Sequence, residues 1–151
     1  MKESIEITKE YYASKLNRSC DSKGITNLDI IFDGTWMTKG FHSNIGIGVI
    51  IDQHTKLALD YTVLSKYCHK CSVNKSQKSD EDFAKWYSKH KINECVLNHK
   101  GSSAAMEKEA LLKLVSDSLG KKIRYIRILS DGDSKAFTAV KQMNGGKRTI
   151  S

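Results

Sequence analysis

The chain of 151 residues has room for one domain with a real core, and at 39% hydrophobic and 28% charged it is not a disordered polymer. No apolar run nears the roughly 18 residues needed to cross a bilayer and no charged-then-apolar leader opens the sequence, which sets aside membrane and secretory expectations. Lysine and arginine number 25 against 17 acidic residues, a net +8; such an excess suits a polyanion such as nucleic acid, although charge alone does not decide the partner.

Residues 3 to about 18 carry Ile5, Tyr12 and Leu16 among charges, a pattern for an N-terminal amphipathic helix within segment 1–26. Cys20 stands alone and reads as a free thiol. "NLDIIFD" (27–33) reads as a central strand, and "NIGIGVIID" (44–52) as a second, rich in β-branched residues. In "KLALDYTVLS" (56–65) Leu57, Leu59, Tyr61 and Val63 alternate with Ala58, Asp60 and Thr62, the period of a third strand. Residues 66–101 are polar and hold three cysteines. "SSAAMEKEALLKLVSDSLG" (102–120) predicts a helix, with serines to cap it and Gly120 to stop it. "IRYIRILS" (123–130) predicts a fourth strand, and "DSKAFTAVKQM" (133–143) a further helix before Gly145–Gly146. The final "MNGGKRTIS" is too short to predict another packed element. Proline is absent, so glycine, asparagine, aspartate and serine must make the turns.

The order β-β-β, insertion, α, β, α predicts an antiparallel meander followed by a helical crossover to a parallel fourth strand. That is the start of an RNase H-like α/β mixed sheet. In it Asp33 and Asp131, each at the C-terminal end of its strand, become neighbours. Two adjacent carboxylates repel each other unless a cation neutralises them, and Mg²⁺ or Mn²⁺ is the oxygen-seeking ion for that role. Two such ions about 4 Å apart support phosphodiester cleavage. The plain alternative is that "DGT" and "DGD" are turn dipeptides. Asp133 is placed to cap the following helix. Glu107 shares a helical face with Ala110, Leu111, Leu114 and Ser118, as a boundary residue or an active-site acid. Glu109 lies off that face, where it would pair with Lys113.

The insertion carries "YCHKC" (67–71) and, downstream, His90 and Cys95. The pattern C-x2-C-x18-H-x4-C has the ligand types and paired spacing of a structural zinc site. His99 and His69 are the alternatives to His90 as fourth ligand, and a disulfide is the rival use of the cysteines. A polar loop spanning 66–101 needs some such staple to stay ordered.

These residues together resemble the Mutator-like transposase domain of eukaryotic mobile elements. The matching blocks are "FDGTW" with Gly40, "LDYTVLSKYCHKC", the spaced Trp86, His90 and Cys95, "GSSAAMEKEA", and "SDGDSKAF", in order over about 28–140. The resemblance implies a 27–151 RNase H-like nuclease core that cuts double-stranded DNA at element ends and joins them to target DNA in the nucleus, with room for a homo-oligomer. It makes Asp33 the first and Asp131 the second catalytic aspartate, both ligands to Mg²⁺ or Mn²⁺. It makes Cys68, Cys71, His90 and Cys95 a zinc-bound set. Glu107 falls in the "ME" block, and its role as an accessory acid is inferred from its helical face. The family also uses a third acid on a later helix and an upstream DNA-binding region; no acid follows Asp133 here. The expectation is therefore a partial core, inactive alone. A zinc-stabilised DNA- or protein-binding module without catalysis, a decayed or domesticated remnant, is the main rival. A DxD glycosyltransferase is a weaker one, because no nucleotide-binding βαβ unit precedes "DGD".

Overall fold

The structure, a computed structural model, describes residues 1–36, 43–130 and 149–150. The elements are α1 (Lys2–Lys15), β1 (Thr26–Trp36), β2 (Ile45–Asp52), β3 (Ala58–Ser65), α2 (His69–Gln77), α3 (Asp80–Asn93), α4 (Ser103–Ser118), β4 (Ile123–Leu129) and β5 (Thr149–Ile150). They build one mixed sheet in the order β3-β2-β1-β4-β5. The meander is antiparallel, with Asp33 opposite Val49 and Val49 opposite Tyr61. β4 runs parallel to β1, from Thr26 opposite Ile123 to Ile31 opposite Leu129. The mixed architecture expected from the strand order is thus present. The predicted helix at 133–143, and Asp131 and Asp133 with it, lie outside the described residues.

Three local readings change. The insertion is largely helical, since α2 and α3 occupy most of it. β5 pairs in parallel with Arg127 and Ile128 of β4, so the C-terminal residues do supply one short element. Gly120 does not stop α4: it sits in a 3₁₀ turn (Leu119–Lys121), and Lys122 takes the left-handed conformation with φ 59°.

The core forms where α1 and α4 meet the sheet. Leu28, Ile30 and Phe32 of β1, Ile50 of β2, Leu64 of β3 and Ile123, Tyr125 and Ile128 of β4 are buried. They meet Met106, Ala110, Leu111, Leu114 and Val115 of α4 and Ile5 and Tyr12 of α1. α4 comes so close that a methyl group on Gly48 would stand 2.9 Å from the Ala110 Cβ and 3.0 Å from the Phe32 ring. Glycine is what this crossing requires.

A polar network fastens α1 to the strands. The buried Tyr12 hydroxyl donates to Asp52 Oδ1 at 2.9 Å and accepts from the Asp29 backbone N–H at 2.9 Å. Arg18 reaches the Asp29 carboxylate at 2.7 Å, and His54 Nε2 lies 3.3 Å from the same group. Among the described residues no helix is long and apolar enough to cross a membrane.

Candidate functional site

The insertion is closed by one asparagine. At the end of β3 the Ser65 N–H donates to Asn98 Oδ1 at 2.7 Å, and the Asn98 amide donates back to the Val63 carbonyl at 2.9 Å. The backbone N–H groups of Asn98 and His99 both bond to the Ser65 carbonyl. Between these points α2 and α3 form a helical hairpin. Ser79 caps α3 by accepting from the Asp82 N–H, and Asp80, Glu81 and Asp82 in its first turn suit the positive end of the helix dipole.

The hairpin brings together four ligand-type side chains. Cys68 is the residue before α2 and Cys71 lies in its first turn; His90 lies in the last turn of α3 and Cys95 just beyond it. The turn after α3 is set by the His90 carbonyl, which accepts from the N–H groups of both Glu94 and Cys95. Cys68 Sγ is 3.3 Å from His90 Nε2, Cys71 Sγ is 3.6 Å from Cys95 Sγ, and all four donor atoms lie within 4.8 Å of one another. Tetrahedral zinc with Zn–S near 2.3 Å requires sulfurs about 3.8 Å apart, so the set is close to the size of that ion. A disulfide needs sulfurs about 2.05 Å apart, and all four cysteines, Cys20 included, are free thiols. Three thiols and one imidazole are the soft and borderline donors that favour zinc. The cluster could hold zinc.

The alternatives for the fourth ligand fall away. His99 Nδ1 is 2.6 Å from Glu109 Oε2, and its Nε2 faces the Ser102 carbonyl at 3.3 Å. His69 is exposed, with its Nδ1 3.3 Å from the Tyr67 hydroxyl. His90 is buried, and Trp86 stacks on its ring at 4.4 Å and 15°. Glu94 lies 3.8 Å from the His90 Nδ1, and Lys70 holds that carboxylate at 2.6 Å. A carboxylate behind a ligating histidine steadies its ring.

The thiols respond to this crowding in opposite ways. Burial pushes Cys68 up, but the Cys71 N–H and the His90 ring favour its thiolate and bring it down to about 6. Burial pushes Cys71 up as well, and with the Cys95 and Cys68 sulfurs beside it, it reaches about 12. Three thiolates packed this closely would repel one another, so the set takes its fully ionised form only around a cation.

The carboxylates occupy the other part of the molecule. Asp33 is exposed near the end of β1, three residues before Trp36. It alternates with Phe32, so its side chain leaves from the face opposite α4. Glu107 is half-buried in the second turn of α4, beside the buried Met106. α4 begins just after His99, which is tied to the last residue of β3. Because β1 and β3 run the same way, Asp33 and Glu107 lie toward the same end of the strands but in different layers. Glu109 does not reach toward Lys113 as expected; it holds His99. Asn98, His99 and Glu109 went unread as a group, because their contacts join residues 10 to 35 apart and none sits in a motif.

Together these features define a mixed α/β domain with a Cys₃His cluster, able to hold a metal ion, inserted ahead of its crossover helix. A family model for Mutator-like transposases matches residues 1–150. The chain belongs to that family. Comparison with curated proteins and with solved structures finds no match.

Proposed function

We propose that this chain is the nuclease core of a Mutator-like DNA transposase, with an RNase H-like sheet and a metal-binding carboxylate pair, Asp33 and Asp131. The supporting observation is the parallel register of β1 and β4. Ile31 is paired with Leu129, Asp33 lies two residues beyond the first and Asp131 two residues beyond the second. A chain advances at most about 3.6 Å per residue, and the paired residues from which the two aspartates follow in sequence are neighbours. Asp33 is exposed and offers only oxygen donors, which fits Mg²⁺ or Mn²⁺. Such an ion, when bound, supplies Lewis-acid stabilisation of charge on the phosphoryl oxygens and a more acidic water.

In this reading Asp33 and Asp131 hold the ions, Glu107 is an accessory acid at the same end of the sheet, and the basic surface holds double-stranded DNA in the nucleus. The Cys₃His set binds zinc for structure alone. A supercoiled plasmid assay tests it. Mn²⁺-dependent nicking that vanishes in Asp33→Asn with zinc content unchanged supports it. The second reading, a zinc-stabilised binding module without catalysis, is favoured by the metal knuckle, whose role requires no chemistry. DNA binding with no nicking in Mn²⁺ selects it.

A further inference from the structure

We propose that the groove between α2 and α3, beside the Cys₃His cluster, binds an unpaired DNA strand, with phosphates at Lys66 and Lys75 and a base against Tyr67 and the Phe83–Tyr87 pair. This rests on the reading of the chain as a DNA-acting core, and adds where it grips a strand and which form it takes.

The groove has a volume of about 310 Å³ and is lined by Lys66, Tyr67, Ser72, Lys75, Phe83 and Tyr87 with Cys68, Cys71 and Leu97. Its lining holds two lysines and no acid. Residues 66–100 carry eight lysines against four acids. Three of those acids occupy the first turn of α3, and the fourth, Glu94, is bonded to Lys70. Lys66 and Lys75 have no carboxylate partner among the described residues. Two cations along one groove suit a phosphate chain.

The aromatic rings decide the form of the strand. Tyr67 is 41% exposed, enough to offer a ring face to a ligand. Phe83 and Tyr87 lie nearly parallel, with centroids 5.6 Å apart and planes at 14°. Trp86, on the same helix, is already committed to the His90 ring. Base faces inside a duplex are covered by their neighbours, so aromatic groups in a basic groove serve a strand whose bases are unstacked. Cleavage and rejoining of DNA ends expose such strands. Lys75, Phe83 and Tyr87 sit on the helices that carry Cys71 and His90, and Tyr67 adjoins Cys68, so whatever holds the cluster holds the groove.

The test uses the zinc-loaded chain without Mg²⁺ or Mn²⁺, so that binding is read apart from cleavage. Anisotropy of a labelled single-stranded oligonucleotide, and of the matching duplex, is followed with the wild-type chain, Tyr67→Ala, Tyr67→Phe, Lys66→Gln and Lys75→Gln. Tyr67→Ala should weaken strand binding about tenfold and Tyr67→Phe should restore it. Each lysine variant should lower the salt slope for the strand by roughly 0.7. A strand bearing 5-iodouracil, irradiated with the wild-type chain, should crosslink to Tyr67, Phe83 or Tyr87, a result independent of how any variant folds. Unchanged strand affinity in variants that keep their zinc, or crosslinks confined to other residues, overturns the groove while leaving the nuclease reading in place. Failure of the wild-type chain to bind either DNA overturns both.

Discussion

Asp29 and Asp33 stand four residues apart on β1 and live in opposite surroundings. Asp33 is exposed, whereas Asp29 is 4% exposed and shared by Arg18 and His54. Burial pushes the Asp29 carboxyl up, but the hydrogen bonds from Arg18 and His54 outweigh it and hold the group below its ordinary value. The folded value is depressed, so the stabilisation is complete above the unfolded pKa of about 3.9 and is lost as pH falls through the folded value. Asp29→Asn should therefore lower unfolding free energy by about 1–3 kcal/mol at neutral pH. Urea denaturation should show that difference shrinking below pH of about 4, where the wild-type loses the charge as well. Residue by residue, the sequence was readable where types cluster at fixed spacing. Cys68, Cys71, His90 and Cys95 announce themselves, and all four converge. Asp29, Tyr12, Arg18 and His54 do not, because their meeting depends on where α1 docks.

At the scale of elements, apolar runs located β1, β2 and β4 and alternation located β3 to within a few residues, although in β3 Tyr61 and Val63 are exposed while Asp60 and Thr62 are buried; the helical face of α4 matched its burial. α2 was missed because it is a short polar helix, whereas α3 had a readable sign in Phe83, Trp86, Tyr87 and His90 at helical spacing, which the polar setting of the insertion hid. The helix stop at Lys122 was missed because a lysine gives no local sign of left-handed backbone. α4 crosses β2 tightly at Gly48. Gly48→Ala forces Ala110 or Phe32 aside, and overpacking of this kind costs about 1–3 kcal/mol. Thermal unfolding should show a lower midpoint with an unchanged far-UV spectrum below the transition.

At the scale of the molecule, the sheet and the metal knuckle draw on different forces. The sheet is an apolar core, whereas α2 and α3 bury only His90, so a metal ion on the Cys₃His set would supply most of their cohesion. Purified protein should contain about one zinc per chain. Cys71→Ser should abolish that zinc and lose the helical signal of α2 and α3, while the strand signal and cooperative unfolding of the sheet persist. Because Cys71 is pushed up to about 12 in the absence of a cation, metal binding must expel a proton from it at neutral pH. Zinc affinity should rise with pH, and calorimetry in buffers of different ionisation enthalpy should register the released protons.

The closure of the insertion on Ser65 has a consequence for how such a chain can change over time. Its two ends meet at one residue, through the Asn98 and His99 N–H groups and the Asn98 side chain. From the sheet's side, the whole excursion is a detour that leaves and returns at the same doorstep. Loop-closure entropy grows only by about 0.6 kcal/mol per doubling of length, so the sheet is nearly indifferent to what the detour contains. Lengthening, shortening or replacing the helical hairpin is tolerated as long as an asparagine returns to Ser65. The place in the fold where new binding surfaces are gained most cheaply is also the place where this chain gathers its four ligand-type side chains.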